Sequence, residues 1–143
     1  MKIDFAELWV HVHGASTHFP IALLIVSLLF DLGALIFRQP NWRIVAYYTL
    51  LAAALGTIPA VLSGLTGGQG WFGIDPWTSG PVNTHRLVSL IASGIMLALA
   101  LWRGLKRDAL KGVPFAIYLV LVVLSSVLIG YTGWLGGAVA GVY

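Results

Sequence analysis

Four histidines, at positions 11, 13, 18 and 85, carry the coordination chemistry that this sequence allows. Imidazole nitrogen binds haem iron, copper and zinc, and an imidazole in apolar surroundings needs partners for its ring nitrogens. His18 and His85 each lie at the start of an apolar stretch. If both stretches are helices that run in the same direction, the two rings face one another at similar depth. Opposed imidazoles suit axial ligation of a haem iron, which favours electron transfer because no coordination position stays open.

Neighbouring residues extend this hypothesis. Arg86 follows His85 directly and either pairs with a haem propionate or extends its head to the membrane interface. His13 and His11 are second-choice ligands, for a second haem b or for a propionate contact. One or two haem groups are therefore compatible with the sequence.

Two other interpretations of the histidines stay open. His11, His13 and His18 could together bind copper or zinc, since nitrogen ligands suit both metals. Alternatively, the histidines only pack and form hydrogen bonds in a non-catalytic anchor or assembly subunit. No catalytic residue is predicted, because no Ser-His-Asp arrangement, phosphate loop or close carboxylate pair is present. We expect an electron-transfer subunit rather than a stand-alone enzyme.

The absence of cysteine narrows the choices further. It excludes disulfides, thiolate metal sites, covalent c-type haem attachment and cysteine-ligated iron–sulfur clusters in this chain. The histidines are therefore the main candidate ligands.

The composition is that of a membrane protein. Of 143 residues, 59% are hydrophobic and 9% are charged, and the mean hydropathy is +0.91. Soluble domains have about 45–50% apolar and about 25% charged residues. A net charge of +3 could indicate nucleic acid, but the basic residues lie mainly between apolar runs, so we exclude nucleic-acid binding and expect a lipid bilayer as the partner.

Four apolar stretches, at about 17–37, 42–64, 84–103 and 113–134, are each long enough to cross a bilayer as a helix. They predict an all-α, integral membrane four-helix bundle, as one domain covering residues 1–143. The residues before the first span predict a short N-terminal interfacial helix that stops at Gly14. The second loop, 65–83, is long enough to cover a site or meet a partner.

Charge sets the expected orientation. Six of the eight basic residues fall at one side of the spans, which the positive-inside rule makes cytoplasmic. Both termini and all four histidines then lie on the periplasmic side of a bacterial inner membrane. Asp31, inside the first span, is expected to accept a hydrogen bond from Arg38 or Arg43, or to belong to a proton route to a quinone.

Several short runs resemble a known family. They are His13, the run from His18 to Leu24 (HFPIALL), Asp31, Pro59 and Ala60 with Gly64, His85, and the run from Gly133 to Gly137 (GWLGG). Together they resemble the small four-span predicted membrane proteins of domain of unknown function 2231, over nearly the whole chain. The final residues, 138–143, depart from that family's usual ending, which carries a further histidine, and His11 is extra.

The resemblance implies a redox role, because relatives are fused to or encoded beside c-type cytochrome or Rieske modules. The expected function is thus a membrane b-type cytochrome that passes electrons between the quinone pool and an extracytoplasmic carrier, or that anchors a redox complex. A c-type cytochrome or another redox subunit is the implied partner. The oligomeric state is left open, with a homo-oligomer among the alternatives.

Overall fold

Four long helices form the fold in a computed structural model that describes residues 5–66, 80–106 and 110–139, with side chains from residue 11 onwards. The helices are α1 (Phe5–Ile36), α2 (Asn41–Thr66), α3 (Pro81–Lys106) and α4 (Gly112–Val139). Each helix contacts the next, and α4 returns to α1, so α1 and α3 lie diagonally across the bundle, as do α2 and α4. The predicted all-α four-helix bundle is confirmed.

The surface of the bundle requires a lipid environment. Each helix contains a segment long and apolar enough to cross a membrane, and only 28–33% of the residues in each apolar window are buried within the protein. The remaining large apolar side chains, such as Leu29, Leu101 and Val127, face outward and are 60–67% exposed. Exposed apolar area on this scale is unfavourable in water and favourable in hydrocarbon. The chain is therefore an integral membrane protein.

Helix α1 differs from the sequence prediction at its N-terminal side. It runs unbroken through Gly14, so the separate interfacial helix with a stop at Gly14 is wrong over the described residues. The hydroxyls of Ser16 and Thr17 donate to the carbonyls of His13 and Gly14 at 3.0 and 2.9 Å, within the same helix. In apolar surroundings a continuous helix satisfies every backbone group, which outweighs the weak helix propensity of one glycine.

The turn between α1 and α2 is closed by backbone bonds. Arg38 adopts a left-handed conformation with φ of 53°, and the amide of Gln39 donates to the carbonyl of Ala34 at 3.1 Å. This pattern is that of a helix C-terminal cap, and Pro40 follows where the helix cannot continue. The short turn makes α1 and α2 an antiparallel hairpin. Of the predicted second loop, residues 67–79 lie outside the described part of the chain.

The two hairpins, α1–α2 and α3–α4, repeat one packing pattern. A residue of the first hairpin and the residue 72 positions further along the chain occupy equivalent places, as Asp31 and Arg103 do. His13 and His85 each bond to a residue 47 positions further along the chain. Every buried position of α2 has a buried counterpart in α4, except Ala54. These counterparts are Ala46 and Tyr118, Leu50 and Val122, Ala53 and Ser125, Thr57 and Ile129, Ala60 and Thr132, and Ser63 and Leu135.

Few residues are identical between the halves, although His13 matches His85 and Gly64 matches Gly136. The repeat is thus one of packing. Because α1 and α3 occupy equivalent places and run in the same direction, the pseudo-twofold axis runs along the bundle. We call the end with His13 and His85 the histidine end, and the end with Asp31 and Arg103 the ionic end.

Candidate functional site

His13 joins α1 to α2 at the histidine end. Its Nδ1 lies 3.1 Å from the carbonyl oxygen of Ala60 and 3.0 Å from Oγ of Ser63. A carbonyl only accepts, so Nδ1 carries the proton and donates. A Cβ atom at Gly64 would lie 2.8 Å from Cε1 of the imidazole. The glycine is therefore what lets the ring approach α2 so closely.

His85 repeats this arrangement between α3 and α4. Its Nδ1 donates to the carbonyl oxygen of Thr132 at 3.1 Å. A Cβ atom at Gly136 would lie 3.1 Å from Cε1 of the ring. The two halves thus hold their histidines by the same device, a backbone acceptor and a glycine on the following helix.

The two imidazoles lie at the same end of the bundle. His13 and His85 are both half-buried and occupy equivalent positions on diagonal helices. Each ring has its Nδ1 bonded to backbone, and within the described residues neither Nε2 has a hydrogen-bond partner. A histidine that ligates a metal through Nε2 commonly donates Nδ1–H to a carbonyl in this way, because the bond fixes the tautomer and the ring orientation.

His18 does not take the place that the sequence analysis gave it. Its side chain is exposed, and its Nδ1 donates to the carbonyl of Gly14 in its own helix at 2.6 Å. The expected His18–His85 pairing is therefore wrong, and His13 takes the inward position. Residues five apart on a helix point about 140° from one another, so only one of His13 and His18 can face the core.

The predicted three-histidine cluster is not formed by α1. His11 and His18 are exposed, while His13 reaches α2. Since α1 is continuous, His11 and His18 share a face but lie about 10 Å apart along the axis, too far for one metal ion. Among the described residues, no group of three histidine, aspartate or glutamate side chains could hold a metal.

Arg86, the proposed propionate partner, is half-buried and already engaged in another contact.

A buried ionic cluster occupies the opposite end. Asp31 is 0% exposed and Arg103 is 5% exposed, and the guanidinium binds both carboxylate oxygens, with Nη2 donating to Oδ1 at 2.7 Å. Tyr118 accepts from Nη1 of Arg103 at 2.6 Å and donates to Asp31 at 3.3 Å. Nη2 of Arg103 also donates to the carbonyl of Arg43 at 2.8 Å. This cluster links all four helices.

The expected partners of Asp31 are therefore corrected. Arg38 is exposed, and Nη2 of Arg43 donates to the carbonyl of Leu110 at 2.6 Å, with its guanidinium 3.9 Å from the centroid of the Phe115 ring. Arg103 is one of the six basic residues counted at one side of the spans, but it lies in the last turn of α3 and is buried. The sequence contains one signal for this partner of Asp31. Arg103 lies as many residues after His85 as Asp31 lies after His13.

Four membrane-spanning helices with an inward histidine pair at one end and a buried ion pair at the other define a small polytopic membrane protein. The sequence profile of the DUF2231 family, described as a predicted membrane protein, matches residues 10–143, and the chain belongs to this family. The predicted resemblance is thereby confirmed. No curated relative and no solved structure matches this chain.

Proposed function

We propose that this protein is a membrane electron carrier that holds one b-type haem between His13 and His85. The observation that carries the proposal is the matched hydrogen bonding of the two rings. Each donates Nδ1–H to a carbonyl of the following helix at 3.1 Å, which leaves Nε2 as the ligand atom. The sequence analysis expected His18 and His85 as the haem ligands. In this proposal His13 replaces His18, and haem ligation by two histidines is kept.

The donor set suits that cofactor. Cofactor sites in helix bundles are built from side chains on facing helices, and His13 and His85 would supply two imidazole ligands from equivalent positions of the two halves.

When bound, the haem supplies one-electron transfer by its iron. The protein's own residues fix both imidazoles through backbone carbonyls, and two histidine ligands would leave no open coordination position, which would disfavour oxygen chemistry. We assign the quinone pool as the electron source or sink in the bilayer, and an extracytoplasmic redox protein such as a c-type cytochrome as the partner. Anchoring of a larger redox complex is compatible with the same site.

Charge supports an orientation. Arg38, Lys106 and Lys111 are exposed at the ionic end, and Arg43 is half-buried there. By the positive-inside rule, this end faces the cytoplasm and the histidine end faces the periplasm of a bacterial inner membrane. The proposed haem then lies where an extracytoplasmic carrier can reach it.

An absorption spectrum of the purified protein, before and after dithionite, tests the proposal. We expect a Soret band and sharp α and β bands on reduction, with haem released by acidified solvent because no cysteine links it covalently. Absence of both a Soret band and bound iron would contradict the haem assignment. Copper or zinc without porphyrin, found by elemental analysis, would instead support the metal-handling alternative.

Asparagine variants locate the ligands. The Asn side chain offers an N–H donor near the position of Nδ1 but has no atom at Nε2. His13→Asn or His85→Asn should therefore keep the interhelical hydrogen bond and lose the pigment. His18→Asn and His11→Asn are matched controls, because both side chains are exposed, and they should keep it.

The second candidate function is a non-catalytic anchor or assembly subunit. It is favoured by the same hydrogen bonds, since His13 and His85 each already join two helices and need no metal for that role. In this case the asparagine variants of both residues would retain wild-type folding and partner binding, and no chromophore would be present in any variant.

A further inference from the structure

An apolar groove lies between α2 and α3 on the outer surface of the bundle, close to the ionic end. Its volume is about 450 Å³, within the range of sites that bind small molecules. Ala54 and Ala100 line it and are buried. Larger side chains flank these alanines on both helices, namely Leu51, Leu55, Leu97, Leu101 and Leu105. Since the outer surface faces hydrocarbon, the groove is accessible to the lipid chains of the bilayer.

The groove is elongated and follows the two helices. Tyr47 and Gly104 lie together at one end, because a Cβ atom at Gly104 would lie 2.8 Å from the Tyr47 hydroxyl. From there the lining residues extend to Leu55 on α2 and to Leu97 on α3, over about 10–12 Å of each helix. A narrow apolar groove along the bundle matches an acyl chain, which lies in the same direction in a bilayer.

The Tyr47 hydroxyl gives this groove one polar end. Tyr47 is partly buried, and within the described residues its hydroxyl has no hydrogen-bond partner. An unpartnered hydroxyl is unfavourable in apolar surroundings. Gly104, beside it, lies in the last turn of α3, where the helix leaves the hydrocarbon and the lipid headgroups begin. An oxygen acceptor of a lipid headgroup is therefore the partner available at this level.

The repeat of the two halves does not require such a groove. The residues of α1 that are equivalent to Ala100 and Gly104 are Leu28 and Leu32, and on α4 a further leucine stands in place of Tyr47. The α1–α4 interface thus has large apolar side chains where the α2–α3 interface has two small residues and a hydroxyl. The groove and its polar end are therefore features of one interface only.

The charge at the ionic end indicates the kind of headgroup. Arg38, Lys106 and Lys111 are exposed there, and Lys106 directly follows Leu105, the last groove residue of α3. Asp31, the one acidic side chain described at this end, is buried in the ion pair. Basic side chains at the membrane surface attract anionic lipids. The surroundings of the groove therefore complement a negative headgroup.

We propose that the α2–α3 groove binds one acyl chain of an anionic phospholipid from the leaflet at the ionic end, with Tyr47 donating to an oxygen of its ester or phosphate group. A phospholipid is favoured over a quinone, because Gly104 lies about 28 Å along α3 from His85, remote from the proposed redox site. The inference does not depend on the proposed haem.

Native mass spectrometry of the delipidated full-length protein tests the occupant. Phosphatidylglycerol or phosphatidylcholine with the same acyl chains is added in detergent. We expect one retained phosphatidylglycerol per chain, and about fivefold weaker binding of phosphatidylcholine. Equal binding of the two lipids, or no retained lipid, would overturn the proposal. A retained quinone would identify a different occupant and overturn it as well.

Two variants test the role of the groove residues in the same assay. Tyr47→Phe removes only the hydroxyl and should weaken phosphatidylglycerol binding by about two- to tenfold. Tyr48→Phe is the matched control, because Tyr48 is exposed and does not line the groove, and it should leave binding unchanged. Ala100→Leu introduces the residue of the equivalent α1 position and should abolish retention at an unchanged Tm. Unchanged binding in Tyr47→Phe, or equal losses in the two tyrosine variants, would overturn the assignment.

A fluorescent label locates the lipid without filling the groove. The chain has no cysteine, so a single-cysteine variant carries one label at a chosen position. Leu101→Cys places the label beside the groove, and Leu29→Cys places it at the equivalent position of α1, where the leucine is similarly exposed, at 60% against 63%. In phosphatidylcholine vesicles with a small fraction of brominated phosphatidylglycerol, the label at position 101 should be quenched more strongly. Equal quenching at the two positions would overturn the groove as the site.

Discussion

Asp31 and Arg103 lie 72 residues apart, at equivalent positions of the two halves, and their side chains bind one another. Equivalent residues of a twofold repeat can touch only close to the axis. The ion pair therefore marks the pseudo-twofold axis at the ionic end, as His13 and His85 flank it at the histidine end. An exact repeat would place two like charges here, and the chain instead carries one acid and one base.

Breaking this pair should destabilise the bundle strongly. Asp31→Asn or Arg103→Met leaves the other charge buried without compensation, at an expected cost of about 3–5 kcal/mol. Thermal unfolding of the purified protein in detergent measures the change. Lys106→Met, at an exposed position in the same helical turn, is the control and should shift stability by less than about 0.5 kcal/mol.

Exchanging the charges should recover much of that loss. Because the axis relates the two positions, Asp31→Arg combined with Arg103→Asp returns an ion pair to similar surroundings. Recovery stays incomplete, because the Tyr118 hydroxyl and the Arg43 carbonyl accept hydrogen bonds from an arginine at position 103 and not from one at position 31. A double variant no more stable than the single ones would argue against the axial position of the pair.

Removing the hydroxyl of Tyr118 should weaken the ionic cluster without breaking it. Tyr118→Phe keeps the ring, which packs within about 5 Å of Arg103, and loses the hydrogen bonds to Arg103 and Asp31. Hydrogen bonds to charged groups contribute about 1.5–3 kcal/mol, so a loss in that range is expected in an unfolding assay. Tyr48→Phe serves as the control, because Tyr48 is 62% exposed, and its Tm should match that of the wild type.

Adding a methyl group beside either histidine should displace the ring. A Cβ atom at Gly64 would lie 2.8 Å from His13, and one at Gly136 would lie 3.1 Å from His85. Gly64→Ala should therefore have the larger effect, about 1–3 kcal/mol, and both variants should reduce haem content if the proposed site is correct. The readouts are Tm and the Soret absorbance per protein.

Gly130→Ala is the matched control for these variants, since a Cβ atom there meets nothing within 4 Å. It should be neutral or stabilising by up to about 1 kcal/mol, because alanine favours helix. Equal losses at positions 64, 130 and 136 would show that helical glycines matter in general, and not through the histidines.

The interhelical bond of Ser27 should contribute to the α1–α2 hairpin. Its hydroxyl donates to the carbonyl of Ala46 at 2.7 Å, and Ser27 is fully buried. Ser27→Ala should cost about 1 kcal/mol in thermal unfolding. Thr49→Ala removes a hydroxyl that bonds within its own helix and should cost less. The reverse order would mean that the interhelical bond does not stabilise the hairpin.

The spans and the fold class could be predicted from sequence because they depend on local composition. An apolar run of sufficient length with few charges can meet a bilayer only as a helix, whatever its neighbours are. The same reasoning fails at Gly14, where the sequence predicts a helix stop typical of aqueous proteins and the helix continues. In α1 the surrounding helix satisfies the backbone, and the glycine lies in open space.

The sequence predicts which residue types belong to the candidate site, but it does not predict which individual residues contact one another. The sequence alone determined four spans, a histidine-rich end and an acid inside the first span, since these follow from residue types and their order. Only the tertiary structure decided that His13 rather than His18 turns inward and binds α2, and that Arg103 rather than Arg38 or Arg43 binds Asp31. Both choices depend on the rotation of one helix against another, and contacts 47 to 72 residues apart set that rotation.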